Sequence, residues 1–204
     1  MSIKELEYEN KLYPDALRKI KSPPKKLYVL GNETILNNES IAIVGSSEIK
    51  NAINDLDYTL GNETILNNES IAIVGSRNCT EYGVRMAKEF ARDLAQNGVT
   101  IVSGMAKGID SAAHIGAIEV QGKTIAVLGS GFNHIFPDKE VFEKILKYGG
   151  AVITEYEPDI DVFPQGFRDR NRIVAGLGMG VLVVEAKEKS GTGITAEYAK
   201  QFNR

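Results

Sequence analysis

The chain has 204 residues, 43% of them hydrophobic and 25% charged, an ordinary balance for a soluble globular protein and enough length for one substantial domain with an appendage. A formal charge of -3 excludes a global basic footprint, so any nucleic-acid contact must come from a local patch. The single Cys79 excludes an intrachain disulfide framework, and His114 and His134 stand without a zinc-ligand grouping.

The first twenty residues are charged and amphipathic, with neither an apolar signal core nor a membrane-length run, so a cytoplasmic protein without membrane contact is expected. Residues 2–20 read as one or two short helices, Pro23 and Pro24 break the chain, and residues 27–30 read as a short strand. Then comes a repeat: LGNETILNNESIAIVGS at 30–46 returns letter for letter at 60–76. Each copy ends in IAIVGS, an apolar strand running into a glycine turn. Between them Ile49, Ile53 and Leu56 give residues 47–56 a helical apolar spacing, followed by a loop at 57–59. Residues 30–59 are therefore read as a strand-and-helix insertion. The second copy is favoured as the working strand because a short turn joins it to the next helix, and because Arg77 follows it where Ser47 follows the first.

After residue 70 the chain alternates. Apolar runs at 71–74, 99–102, 124–128, 151–154 and 181–184 suit strands buried on both faces, and helical patterns fill 81–96, 111–120, 139–147, 168–177 and 195–202. Strand then helix, repeated, predicts an α/β fold: a Rossmann-like, doubly wound, mostly parallel sheet. The expected organisation is a short helical appendage over 1–29, the insertion over 30–59 and the Rossmann-like domain over 60–204.

Four segments carry candidate chemistry. In VGSR, Gly75 and Ser76 turn the chain after a strand, so backbone amides and the Arg77 guanidinium can face one anion; a tight turn with a solvated arginine is the plainer reading. In SGMAKGIDSAAHIGA at 103–117, Lys107 is a second candidate for phosphate, against a solvated loop lysine, while Asp110 as a helix cap and His114 as a hydrogen-bonded imidazole read as structural. In FRDRNRIVAGL at 167–177, Phe167 stands beside Arg168, Arg170 and Arg172. An aromatic next to cations suits single strands, where bases stack and phosphates follow the charge; a solvated charged face is the alternative. In VVEAKEKSGTGITAEYA at 183–199, Ser190, Gly191, Thr192 and Gly193 open a helix after a strand, an anion-site geometry. Glu185, at a strand end, reads as a structural carboxylate.

Together with TIAVLGSG, YPDALRKI and PPKKLYVLG, these strings closely resemble the bacterial DNA-processing protein A family, also called Smf. The resemblance implies a Rossmann-like domain that binds single-stranded DNA and loads the RecA recombinase during natural transformation, a competence function without catalysis or a cofactor. It also implies self-association, so a homodimer is an expected state. The family's pattern continues past Arg204 into another strand and a carboxy-terminal region, which makes this a C-terminally truncated domain by comparison. A looser likeness links the glycine-threonine stretch to the cytokinin-activating phosphoribohydrolases. It offers the alternative of a nucleotide-cleaving or nucleotide-sensing enzyme using Glu197.

Overall fold

The computed structural model describes residues 3–31, 70–135, 137–187 and 190–204. The remainder of the first repeat copy, the connecting helix read at 47–56 and the opening of the second copy lie outside them.

Seven strands, the first two being β1 (Lys4–Glu7) and β2 (Lys26–Gly31), form one sheet in the order β1-β2-β6-β5-β4-β3-β7. Strands β3 (Ser70–Gly75), β4 (Thr100–Ser103), β5 (Thr124–Val127), β6 (Ala151–Thr154) and β7 (Val181–Glu185) run parallel. Alternation within β3 shows why its sequence is apolar throughout. Ile71 and Ile73 pack against α2 (Glu81–Gln96) and α3 (Ile109–Glu119), whereas Ala72 and Val74 face the opposite layer, with α5 (Pro164–Leu177) and α6 (Gly191–Gln201). A strand covered on both sides has no solvent face to mark with polar residues. Helix α4 (Lys139–Lys147) closes a third cluster through Val141, Phe142 and Ile145.

The amino-terminal segment differs from its sequence reading. Lys4–Glu7 forms strand β1, and only Asp15–Arg18 is helical, as α1. Leu6 is buried between exposed Glu5 and Glu7, a strand alternation too short to stand out from the surrounding charge. Both glutamates pair with Lys26 of β2 (Lys26–Gly31), which lies antiparallel between β1 and β6. Residues 4–7 and 26–31 thus extend the sheet, and Leu30 and Gly31, which open the first repeat copy, complete β2. The second copy supplies β3, as its short connection to the following helix predicts.

From β3 the chain winds outward through β4, β5 and β6, then returns to place β7 on the other side of β3. The carboxyl ends of β3 and β7 therefore flank a topological switch point, the position where open α/β sheets leave a crevice for ligands.

Candidate nucleic-acid interface

A cleft of about 670 Å³ opens at that switch point. One wall is the turn after β3, Gly75 to Asn78. Lys187, Ser190 and, at the start of α6, Gly191, Thr192 and Thr195 also line the cleft. The first half of α5 and the residues before it supply Val162, Phe163, Pro164, Phe167 and Arg168.

The β3 turn is held from two sides. Glu185, the last residue of β7, accepts hydrogen bonds from the Thr80 backbone N–H at 3.0 Å and from its hydroxyl at 2.8 Å, while the Thr80 Oγ1 accepts from Gly83 N and caps α2. Its main-chain carbonyl accepts from Ser76 N at 2.7 Å. Across the turn, Gly108 has a φ of 82° and lies so close to the Ser76 and Arg77 carbonyls that a Cβ would collide with backbone. Glu185 is thus a strut, in keeping with its sequence reading.

Behind the cleft Arg170 is 3% exposed and donates to the carbonyls of Gly104 and Val127, just past β4 and at the end of β5. Burial lowers its guanidinium to about 10, with Asp110 pulling upward and Arg77 pushing down. Asp110 sits one residue inside α3, whose cap is Gly108, and turns its carboxylate back to the Ala106 N–H. Burial raises the Asp110 carboxyl above its ordinary range despite Arg170 and the surrounding backbone donors. His114 is buried without exposure. Because the Thr124 hydroxyl donates to the Ile101 carbonyl, it accepts from His114, which places the imidazole proton on Nδ1. Burial lowers this imidazole to about 3, so it is a neutral part of the core.

The residues proposed from sequence separate into three groups. Gly75, Ser76, Arg77, Phe167, Arg168, Ser190, Gly191 and Thr192 come together in the cleft. Arg170 also lines it, but its described hydrogen bonds go to backbone carbonyls, so it acts as a strut and not as an open cation. Lys107, Arg172 and Gly193 fall outside the lining. Lys107 is exposed on the loop before α3. Arg172 forms a two-pronged pair with Glu155, both contacts at 2.7 Å, and donates to the Ser22 carbonyl, tying α5 to the end of β6 and to the amino-terminal segment. Gly193 N closes the first turn of α6 on Ser190 O.

Sequence reasoning missed the neighbouring wall residues Val162, Phe163 and Pro164, and also Asn78, Lys187 and Thr195. The available signal was Phe163 four positions before Phe167, an aromatic pair at helical spacing obscured by the intervening proline. In the structure Arg77 lies 5.2 Å above the Phe167 ring centre, and Arg170 lies 5.9 Å from it. Glu197, the acid of the enzymatic alternative, is exposed and outside the cleft lining. Among the described residues there is no grouping of His, Cys, Asp and Glu able to hold a metal, and no helix long and apolar enough to cross a membrane.

These features define a doubly wound α/β protein whose switch-point cleft brings together the glycine turn after β3, arginines and aromatic rings. The profile of the DNA recombination-mediator protein A family matches residues 4–57 and 48–204, two overlapping stretches that divide at the repeat, and the chain belongs to that family. Protein Smf of Escherichia coli is 44% identical over 198 residues, covering 96% of this chain and 45% of its own length. The chain spans about half the length of the curated relatives it matches. Among solved structures, DNA processing protein A of Streptococcus pneumoniae superposes with a TM-score of 0.77 at 32% identity, covering all of this chain and 62% of that one. DNA processing protein A of Helicobacter pylori, a protein with a described single-stranded DNA binding mode, also gives 0.77, at 28% identity over all of this chain and 78% of that one.

Proposed function

We propose that this chain binds single-stranded DNA as the Rossmann-like part of a DNA-processing recombination mediator, and that it does so without catalysing a reaction. One observation carries the reading: a single cleft is lined by Arg77, the β3 turn, the start of α6 and the aromatic rings of Phe163 and Phe167. An anion site alone suits many ligands, and an aromatic wall alone suits many apolar ones. A single strand presents phosphates and flat bases at once, and both walls are then used. Single-stranded DNA binding by the Helicobacter pylori relative supports the same assignment.

On this reading Arg77, Arg168, Ser190, Gly191 and Thr192 hold the backbone, Gly75 and Ser76 shape the turn that carries Arg77, and Phe167 exchanges its Arg77 contact for a base. Family membership extends the proposal to delivery of that strand to RecA in natural transformation, in the cytoplasm and from a dimer.

The test is oligothymidylate binding across a salt series by the parent chain, Arg77→Ala and Arg168→Ala. Each lost phosphate contact should reduce the slope of log affinity against log salt by about 0.7. Binding that is absent, or indifferent to salt, would refute the assignment.

A further inference from the structure

Phe163 is neither part of the sequence motifs nor accounted for by the fold alone. It caps α5 in an extended conformation, with φ of -143° and ψ of 149°, immediately before Pro164. Its ring is half-buried and lines the cleft. Tyr156 meets it edge-on, with centroids 5.3 Å apart and planes at 77°. The first turn of α5 also closes on it: a Cβ at Gly166 would stand 2.9 Å from the ring's Cε1 and 3.0 Å from Cζ, so this seat requires glycine. The same glycine rests against the Gly129 backbone, just past the end of β5. Phe163 is thereby fixed in orientation while still facing the cleft.

Phe167 lies four residues on, one helical turn away on the same wall. Two rings four residues apart, in one cleft with Arg77 and the start of α6, make a platform for two successive bases with the backbone running past those groups. From this geometry we infer that Phe163 is a second base-stacking subsite, with its ligand the base adjacent to the one on Phe167 in the same DNA strand. The inference rests on the single-strand reading above. Tyr156 acts as a positioning residue, since it touches the ring without itself lining the cleft. The cleft volume of about 670 Å³ falls in the upper half of the range for ligand pockets, in keeping with a ligand larger than one small ring.

Two ligands of equal length separate stacking from general damage: oligothymidylate, and an abasic oligomer with the same backbone. Phe163→Ala should weaken oligothymidylate binding by about 5- to 100-fold, the effect of one base–aromatic stack, and leave abasic binding unchanged. Phe163→Leu fills the seat without a π face and should reproduce the selective loss with an unchanged melting temperature; it carries the test if the alanine variant folds poorly. Phe163→Tyr should bind as the parent does. If the parent binds and the folded Phe163 variants match it on both ligands, the subsite is refuted and the single-strand reading stands. Equal weakening on both ligands also refutes it, because a purely structural role would loosen the phosphate wall alike. A parent that binds neither ligand overturns the single-strand reading and the subsite together.

Discussion

Arg170 offers a sharp separation between sequence pattern and structure. It sits in an arginine cluster that suggests DNA contact, yet its guanidinium is buried and donates to Gly104 O and Val127 O with the Asp110 carboxylate nearby. Replacing it with alanine removes two charge-assisted bonds, each worth about 1.5–3 kcal/mol, and deprives Asp110 of its opposing charge. Breaking a buried charge arrangement by deleting one partner costs about 3–5 kcal/mol, and the two routes agree near 4. Against a total stability of about 5–15 kcal/mol, the variant should still fold but lie close to its limit. With a urea slope of about 2 kcal/mol per molar, the unfolding midpoint should fall by about 2 M. The assay is equilibrium urea unfolding followed by oligonucleotide binding on the fraction that remains folded. The salt slope should be unchanged, because no phosphate contact is lost. An unshifted midpoint together with a slope reduced by about 0.7 would show instead that Arg170 reaches the strand and that its role as a strut is wrong.

Four further outcomes follow from other contacts. For His114, folded near 3 against about 6.5 unfolded, the unfolded chain binds the additional proton between those values. Its contribution therefore falls with pH, by about 2 kcal/mol from pH 7.5 to about pH 5. The raised Asp110 carboxyl acts in the opposite sense over its own range, so the parent-minus-His114→Gln difference in urea midpoints isolates the histidine; a difference flat with pH would contradict its burial as a neutral ring. Glu155→Ala should cost about 2–4 kcal/mol by leaving the Arg172 guanidinium without its carboxylate partner, while affinity per folded molecule and its salt slope stay at the parent values; a steeper salt slope would mean that the freed Arg172 reaches the strand. Glu185→Ala frees Thr80 and the turn bearing Arg77, so its effect on oligonucleotide affinity should be coupled to Arg77→Ala by about 0.5–1 kcal/mol, and strict additivity would deny the strut. Excising residues 31–60 joins Leu30 to an identical copy of what followed it, so β2, β3 and Arg77 all survive; lost oligonucleotide binding would mean that the added segment takes part in the site.

The sequence was most legible where caps and periodicity coincided. α2 begins and ends where its apolar spacing predicts, with Thr80 as its cap, and α4 does the same behind Asp138. Both helices bordering the cleft begin four residues earlier than their apolar patterns: α5 at Pro164 instead of residue 168, and α6 at Gly191 instead of residue 195. Proline and glycine suppress a helical reading, although proline is well suited to the first turn because its missing N–H needs no partner there. The cleft wall around Val162, Phe163 and Pro164 was hidden by that late start. The roles of the three arginines were hidden for another reason. Their spacing places them on one helix, but whether each meets the cleft, a strand end or Glu155 depends on elements that lie far away in the sequence.

The same dependence explains why two identical segments are not equivalent. Position β3 lies between β4 and β7, and its carboxyl end must turn within a few residues into α2. That turn is fixed from both sides, by Glu185 through Ser76 and Thr80 and by the approach of Gly108 to the Ser76 and Arg77 carbonyls. The first copy has the same strand letters through Ser46, but Ser47 and Glu48 follow it where the second has Arg77 and Asn78, and Lys50 stands where Thr80 would cap the helix. Placed in β3, it would put a serine at the mouth of the cleft and a lysine in the position that receives support from the Glu185 carboxylate. The strand sequence therefore accounts for burial in the sheet, while the four residues after it determine which copy can build the cleft. Identical letters give equal strand preference, and the difference in free energy arises at the turn.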